Sequence, residues 1–97
     1  MRVIKRKTLQ DFYRKHTSSK TALECWFAEA NNAKWSTPAD IKKKYGNADF
    51  LPGNRVVFNI KGNDFRLVVK IAYKIGIVYI RFVGTHKEYD KIDAGTI

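Results

Sequence analysis

The chain has one cysteine, two prolines and one methionine in 97 residues. A lone Cys25 leaves no disulfide framework and fits a reducing compartment. Its neighbours Leu23, Trp26 and Phe27 lead us to expect a small buried hydrophobe there rather than a nucleophile. No apolar run approaches the roughly 18 residues of a membrane span. The stretch Met1-Arg2-Val3-Ile4-Lys5 lacks the apolar region of a signal peptide. The expectation is a cytoplasmic protein with no membrane partner. Internal repeats, linkers and low-complexity tracts are missing, so residues 1–97 read as a single domain. Two histidines and one cysteine lie far apart and no acid cluster has ligand spacing, so neither a metal site nor a cofactor is expected. Gly62 and Gly84 stand alone rather than in a phosphate-cradling loop.

Acids are also scarce. Nine Asp and Glu stand against nineteen Lys and Arg, a net charge of +10. Such an excess raises encounter rates with polyanions and says nothing about fold. Nucleic acid is the first partner class it suggests, and an acidic protein the second. The apolar content of 44%, with 13% aromatic, belongs to a folded domain rather than a disordered tail.

Helical periodicity dominates the first half. Thr8 and Asp11 resemble an N-terminal cap for a helix over about residues 9–16, with Leu9, Phe12 and Tyr13 on one face. A second helix is expected from Lys20 to Asn32, with Ala22, Leu23, Trp26, Phe27 and Ala30 as its apolar stripe. Thr37-Pro38-Ala39-Asp40 starts a third, which reaches Tyr45 and stops at Gly46. Met1 to Ile4 is a short strand, and residues 47–54 read as a loop.

Period-two alternation takes over from Arg55. Strands are expected over residues 55–60, 65–73 and 77–84. A Gly62-Asn63 turn pairs Ile60 with Phe65, Phe58 with Leu67 and Arg55 with Lys70. A two-residue Ile75-Gly76 turn then pairs Lys70 with Arg81, Val69 with Phe82 and Arg66 with Thr85. One sheet face becomes apolar (Phe58, Leu67, Val69, Ile71, Val78, Ile80, Phe82) and must lie under the helices. The other carries Arg55, Asn59, Arg66, Lys70, Tyr79 and Arg81, with no acid on this face between Arg55 and Val83. Like charges opposed across a sheet weaken it, so such a row suits a bound anion; a solvated face dotted with cations is the plain alternative.

Thr85 and Glu88 have capping-box spacing directly after the last strand. His86 would sit at the start of that helix, across from Arg66, where it can move a proton near neutral pH. Tyr79 and Tyr89 can stack on unpaired bases. RNA cleavage needs no metal when the ribose 2′-OH attacks the adjacent phosphate, provided the site aligns that geometry and neutralises the phosphate. Arg66, Lys70 and Arg81 can supply the charge and His86 a proton transfer. The same face also suits a non-catalytic RNA- or ribosome-binding module.

Arg55-Val56-Val57-Phe58-Asn59-Ile60-Lys61-Gly62-Asn63, Arg66-Leu67-Val68-Val69, Val78-Tyr79-Ile80-Arg81-Phe82-Val83 and Thr85-His86-Lys87-Glu88-Tyr89-Asp90 strongly resemble the HigB-type toxins, in the RelE-like group of toxin–antitoxin systems. The resemblance implies an α+β fold with helices on one face of a small curved, mainly antiparallel sheet. It implies a ribosome-dependent endonuclease of translated mRNA that uses no metal. It also implies neutralisation by a HigA-type helix-turn-helix antitoxin, with operator DNA reached only through that partner. Carried over by position, His86, Arg66 and Tyr89 are the catalytic candidates. Arg55, Asn59, Lys70, Arg81 and Lys87 would orient RNA.

Overall fold

The computed structural model describes residues 1–97. Helix α1 (Arg6–Lys15) follows strand β1 (Arg2–Ile4) and leads through a single 3₁₀ turn into α2 (Lys20–Asn32) and α3 (Pro38–Lys42). Then come β2 (Asp49–Leu51), β3 (Arg55–Ile60), β4 (Phe65–Ala72), β5 (Ile77–Thr85) and α4 (His86–Asp90). The strands form one sheet in the order β1-β5-β4-β3-β2. Only β1 runs parallel to its neighbour; the other pairs are antiparallel. The fold is therefore α+β, four helices with a mostly antiparallel open sheet. No helix is long and apolar enough to cross a membrane.

Helices α1, α2 and α3 cover one sheet face, contributing Leu9, Leu23, Trp26, Ala30 and Ile41 to a core shared with Val56, Phe58, Leu67, Val69, Ile71, Val78 and Ile80. Phe58 is its centre. Its ring meets Trp26, Tyr45 and Trp35 with centroids 5.4, 5.0 and 6.2 Å away. Three- and four-residue steps put Leu23, Trp26 and Ala30 on the buried side of α2. Residue 25 lies about 200° around the helix from Leu23, so Cys25 is exposed rather than buried as expected.

Helix α2 and strand β3 have the expected bounds. Helix α1 starts earlier than its apparent cap. Lys5 precedes it in a left-handed conformation, and Thr8 already lies in the first turn, its N–H bonded to Lys5 O. Asp11 pairs instead with Lys7 and Arg14, at 3.1 and 3.7 Å. Helix α3 starts at Pro38 as expected, with a Thr37–Asp40 capping box, but ends at Lys42, short of Tyr45. Part of the expected loop over 47–54 is β2, an edge strand of three residues paired with β3.

The β3–β4 register agrees with expectation at every pair from Arg55↔Lys70 to Ile60↔Phe65. The β4–β5 register does not. The connection is a 3₁₀ turn, Tyr73–Ile75, closed by Gly76 at φ 69°, twice the length of the expected turn. Lys70 therefore faces Tyr79, and Ile71 faces Val78. The shift is an even number of residues, so Val78 and Ile80 still face the helices. Beyond Ile80 the ladder is irregular: Val69 pairs with Ile80 but Val68 with Phe82, leaving Arg81 as the extra residue of a bulge. Three expectations fail there. Arg66 faces Gly84 rather than Thr85. Arg81 does not oppose Lys70, and Phe82 leaves the helix face for the other side while Val83 takes its place against the main core.

Truncating Phe58 removes the centre of the aromatic cluster. Phe58→Ala should cost about 3–5 kcal/mol, read as a lower urea midpoint at unchanged slope. A loss below about 1 kcal/mol would mean that the three surrounding rings close the gap.

Candidate functional site

The second sheet face has three zones. Val57, Val68 and Phe82 form its middle, and Ala94, Tyr89, Leu51, Ile92 and Ile97 close over them. Val57 and Val68 are fully buried, although neither faces the helices. The segment after α4 thus acts as a cover, held by an Asp93 turn (Gly95 N–H to Asp93 Oδ1, 3.0 Å) and by Arg55 Nε donating to Ile97 O at 2.9 Å.

This cover splits the expected row of cations. Arg55, Lys70, Tyr79 and Arg81 lie on one side of it, with Arg81 stacked over the Tyr79 ring at 5.6 Å. Asn59 and Arg66 lie on the other, four residues along the strands and so about 13 Å away. Lys87 is exposed and makes no hydrogen bond or ion pair.

Arg66 is the hub of the second group. Its side chain is only 16% exposed, and its guanidinium lies 5.2 Å from the Tyr89 ring. Nη2 meets His86 Nε2 at 3.1 Å, and Nη1 approaches Asp49 Oδ2 at 3.8 Å. Asn59, its cross-strand partner, donates to Asn47 O at 3.1 Å. Arg66 Nε and Asn59 Oδ1 are buried without partners. Gly84 lies directly across from Arg66 on β5. A Cβ there would come within 2.5 Å of the Phe82 ring, so a larger residue would push that ring off its seat.

Helix α4 supplies the rest. Thr85 Oγ1 accepts from Glu88 N–H (3.2 Å) and the Glu88 carboxylate from Thr85 N–H (2.8 Å), the capping box expected from their spacing. One turn on, Asp90 Oδ2 lies 3.3 Å from His86 Nδ1. A guanidinium has no acceptor. The Arg66 contact is therefore a hydrogen bond only if His86 Nε2 carries a lone pair, which puts the proton on Nδ1, facing Asp90. Asp90 and Arg66 together hold one tautomer, with its basic nitrogen toward Arg66.

Of the expected residues, Arg66, His86, Tyr89 and Asn59 come together; Arg55, Lys70 and Arg81 form a separate group; Lys87 joins neither. Asp49 and Asp90 belong to the site and were missed. The i, i+4 spacing of His86 and Asp90 was a usable signal. Asp49 had none, because its strand looked like loop and its place beside Arg66 depends on β2 pairing.

A basic sheet face with an oriented histidine at a helix start is the candidate site of this small α+β protein. Residues 19–92 match the family model HigB_toxin, described as the RelE-like toxic component of a toxin–antitoxin system, and the chain belongs to that family. It is 32% identical over 92 residues to the mRNA interferase toxin HigB of Escherichia coli K12, covering 93% of this chain and 88% of that one. The same identity and coverage hold for the mRNA interferase HigB of Shigella flexneri. The mRNA interferase HigB of Escherichia coli O6:H1 is 24% identical over 94 residues, 95% of this chain and 91% of that one.

Two measurements test this geometry. Long-range ¹H–¹⁵N spectra of neutral His86 should show Nδ1 protonated and Nε2 bare; the opposite tautomer would remove the Arg66 hydrogen bond. The Thr85 N–H, the larger influence against a small desolvation, holds the Glu88 carboxyl below its ordinary value of 4.5. A depressed folded pKa stabilises α4 fully above the unfolded value and is lost as pH falls through the lower folded one. The Glu88 carboxyl carbon should titrate below 4.5, and replacing Glu88 by Gln should make α4 protection insensitive to pH in that range.

Proposed function

We propose that this toxin is a ribosome-dependent endoribonuclease that cleaves translated mRNA without a metal, works in the cytoplasm as a single domain, and is neutralised by a HigA-type antitoxin. The observation that carries this reading is the Asp90–His86–Arg66 chain, which turns a basic nitrogen toward a guanidinium on a buried floor. The names of the relatives give the substrate class.

In the proposed step the scissile phosphate draws Arg66 onto its oxygens, which frees His86 Nε2. That nitrogen takes the proton of the ribose 2′-OH. O2′ then attacks phosphorus and the P–O5′ bond breaks, leaving a 2′,3′-cyclic phosphate. Tyr89, beneath Arg66, supplies the proton that O5′ takes as it leaves, and exchange with water resets both side chains. Arg66 stabilises the charge that builds on phosphorus, the kind of fixed electrostatic aid that dominates such reactions. Asp90 orients the imidazole and stabilises its protonated form. Asn59 stays with this centre; Arg55, Lys70 and Arg81 guide the flanking strand, with Lys87 at the rim.

Primer extension on a translated message with ribosomes should show cleavage by the wild type. His86→Ala should lower the rate by about 10²–10⁴, the usual worth of a general base, while leaving ribosome binding intact. A 2′-deoxynucleotide at the scissile position should abolish cleavage, and the 5′ fragment should end in a cyclic phosphate. A wild type that binds ribosomes but never cuts would favour a non-catalytic binding module. Cleavage unchanged in His86→Ala would remove His86 from the mechanism.

A further inference from the structure

We propose that the end of the sheet farthest from Arg66 is the antitoxin-docking surface, and that it takes an acidic segment bearing a large apolar side chain. Two adjoining cavities of about 370 and 410 Å³ meet there and share Tyr73 and Lys74. Three segments distant in sequence build the first, the start of β1, the α2–α3 connection and the β4–β5 turn, and Asn54 of the β2–β3 turn joins the last of these at the second. Ile75 stands at the tip, 67% exposed, the most exposed large hydrophobic residue of the chain. Tyr73 and Trp35 continue its apolar surface inward.

The rim is cationic. Arg2, Lys34 and Lys74 converge on the first cavity, none of them forms an ion pair, and no acid lines either cavity. An apolar centre within a one-signed polar rim is the anatomy of a protein interface whose partner carries the opposite charge. Ile75 argues against RNA, whose phosphates would use the cations and leave the isoleucine in water. The charge argues against a second copy: two chains of net charge +10 would bring like rims together. An antitoxin is the partner that the family description entails. Seven residue steps along β5 lead from Ile77, beside Arg2, to Gly84, opposite Arg66, so the surface lies about 23 Å from the site.

The inference rests on membership of a toxin–antitoxin pair, not on the cleavage chemistry, and its test does not read cleavage first. The antitoxin encoded with this toxin, purified, is titrated against the full chain and its Ile75→Asp and Arg2→Glu/Lys74→Glu variants. Each should weaken binding about 30-fold or more, the scale of an interface hot spot. Lys61→Glu, a single charge reversal at the opposite hairpin, should bind as the wild type does. Hydrogen exchange on the wild-type complex should protect residues 33–36 and 73–76, which keeps the proposal testable if a variant folds poorly. Binding within threefold of wild type, or protection elsewhere, overturns the docking site. So does a variant that keeps antitoxin affinity but loses ribosome binding, since the surface would then belong to RNA. Failure of the wild type to cut mRNA would leave this result standing and sink only the nuclease reading.

Discussion

One extra residue in β5 sets the relation between the two faces of this sheet. Up to Ile80, alternate residues of β5 feed the helix-covered core. At Arg81 the ladder slips, and from there Val83 faces the core while Phe82 crosses to the other side. Without that slip Phe82 would turn toward the helices and the far face would lose one of the three side chains of its middle. The bulge also brings Gly84 opposite Arg66, so the strand ends with room for Phe82 and a turn into α4. Bulges that re-aim side chains beside a site are a recurrent use of the extra residue.

A guanidinium that is only 16% exposed needs partners. Arg66 has a carboxylate at the edge of contact, an imidazole nitrogen in hydrogen-bond range and a ring beneath it, while its Nε has none. This incomplete satisfaction leaves the group open to an incoming anion. A tight buried ion pair would hold the charge too well, since breaking one costs several kcal/mol. Asp49 at 3.8 Å and largely exposed is a loose counter-ion that an incoming anion can replace.

Much of this was legible in the residues. The apolar stripe of α2, the β3–β4 register and the Thr85–Glu88 cap follow from local rules with single solutions, and the proximity of Arg66 to His86 followed from the strand order. The rest depended on non-local facts. The 3₁₀ turn at Tyr73–Ile75 competes evenly with a tight turn at the level of composition. The bulge leaves no mark in a chain where Arg81 sits among alternating apolar residues. The cover formed by Ile92, Ala94 and Ile97 has too little periodicity to be read as an element, yet it decides that the cations form two groups. Cys25 was misjudged because its neighbours in sequence are not its neighbours around a helix.

Helix α4 has five residues, too few to persist without outside support. Its order rests on one reciprocal cap at its start and on the cover beyond its end. The histidine therefore rides on an element with little support of its own, while the Phe58 cluster lies within the main core. Opening of α4 and its cover should cost far less than global unfolding. The protein would then pass through a state that is folded by every core probe and has no assembled site, so warming would silence it before it melts.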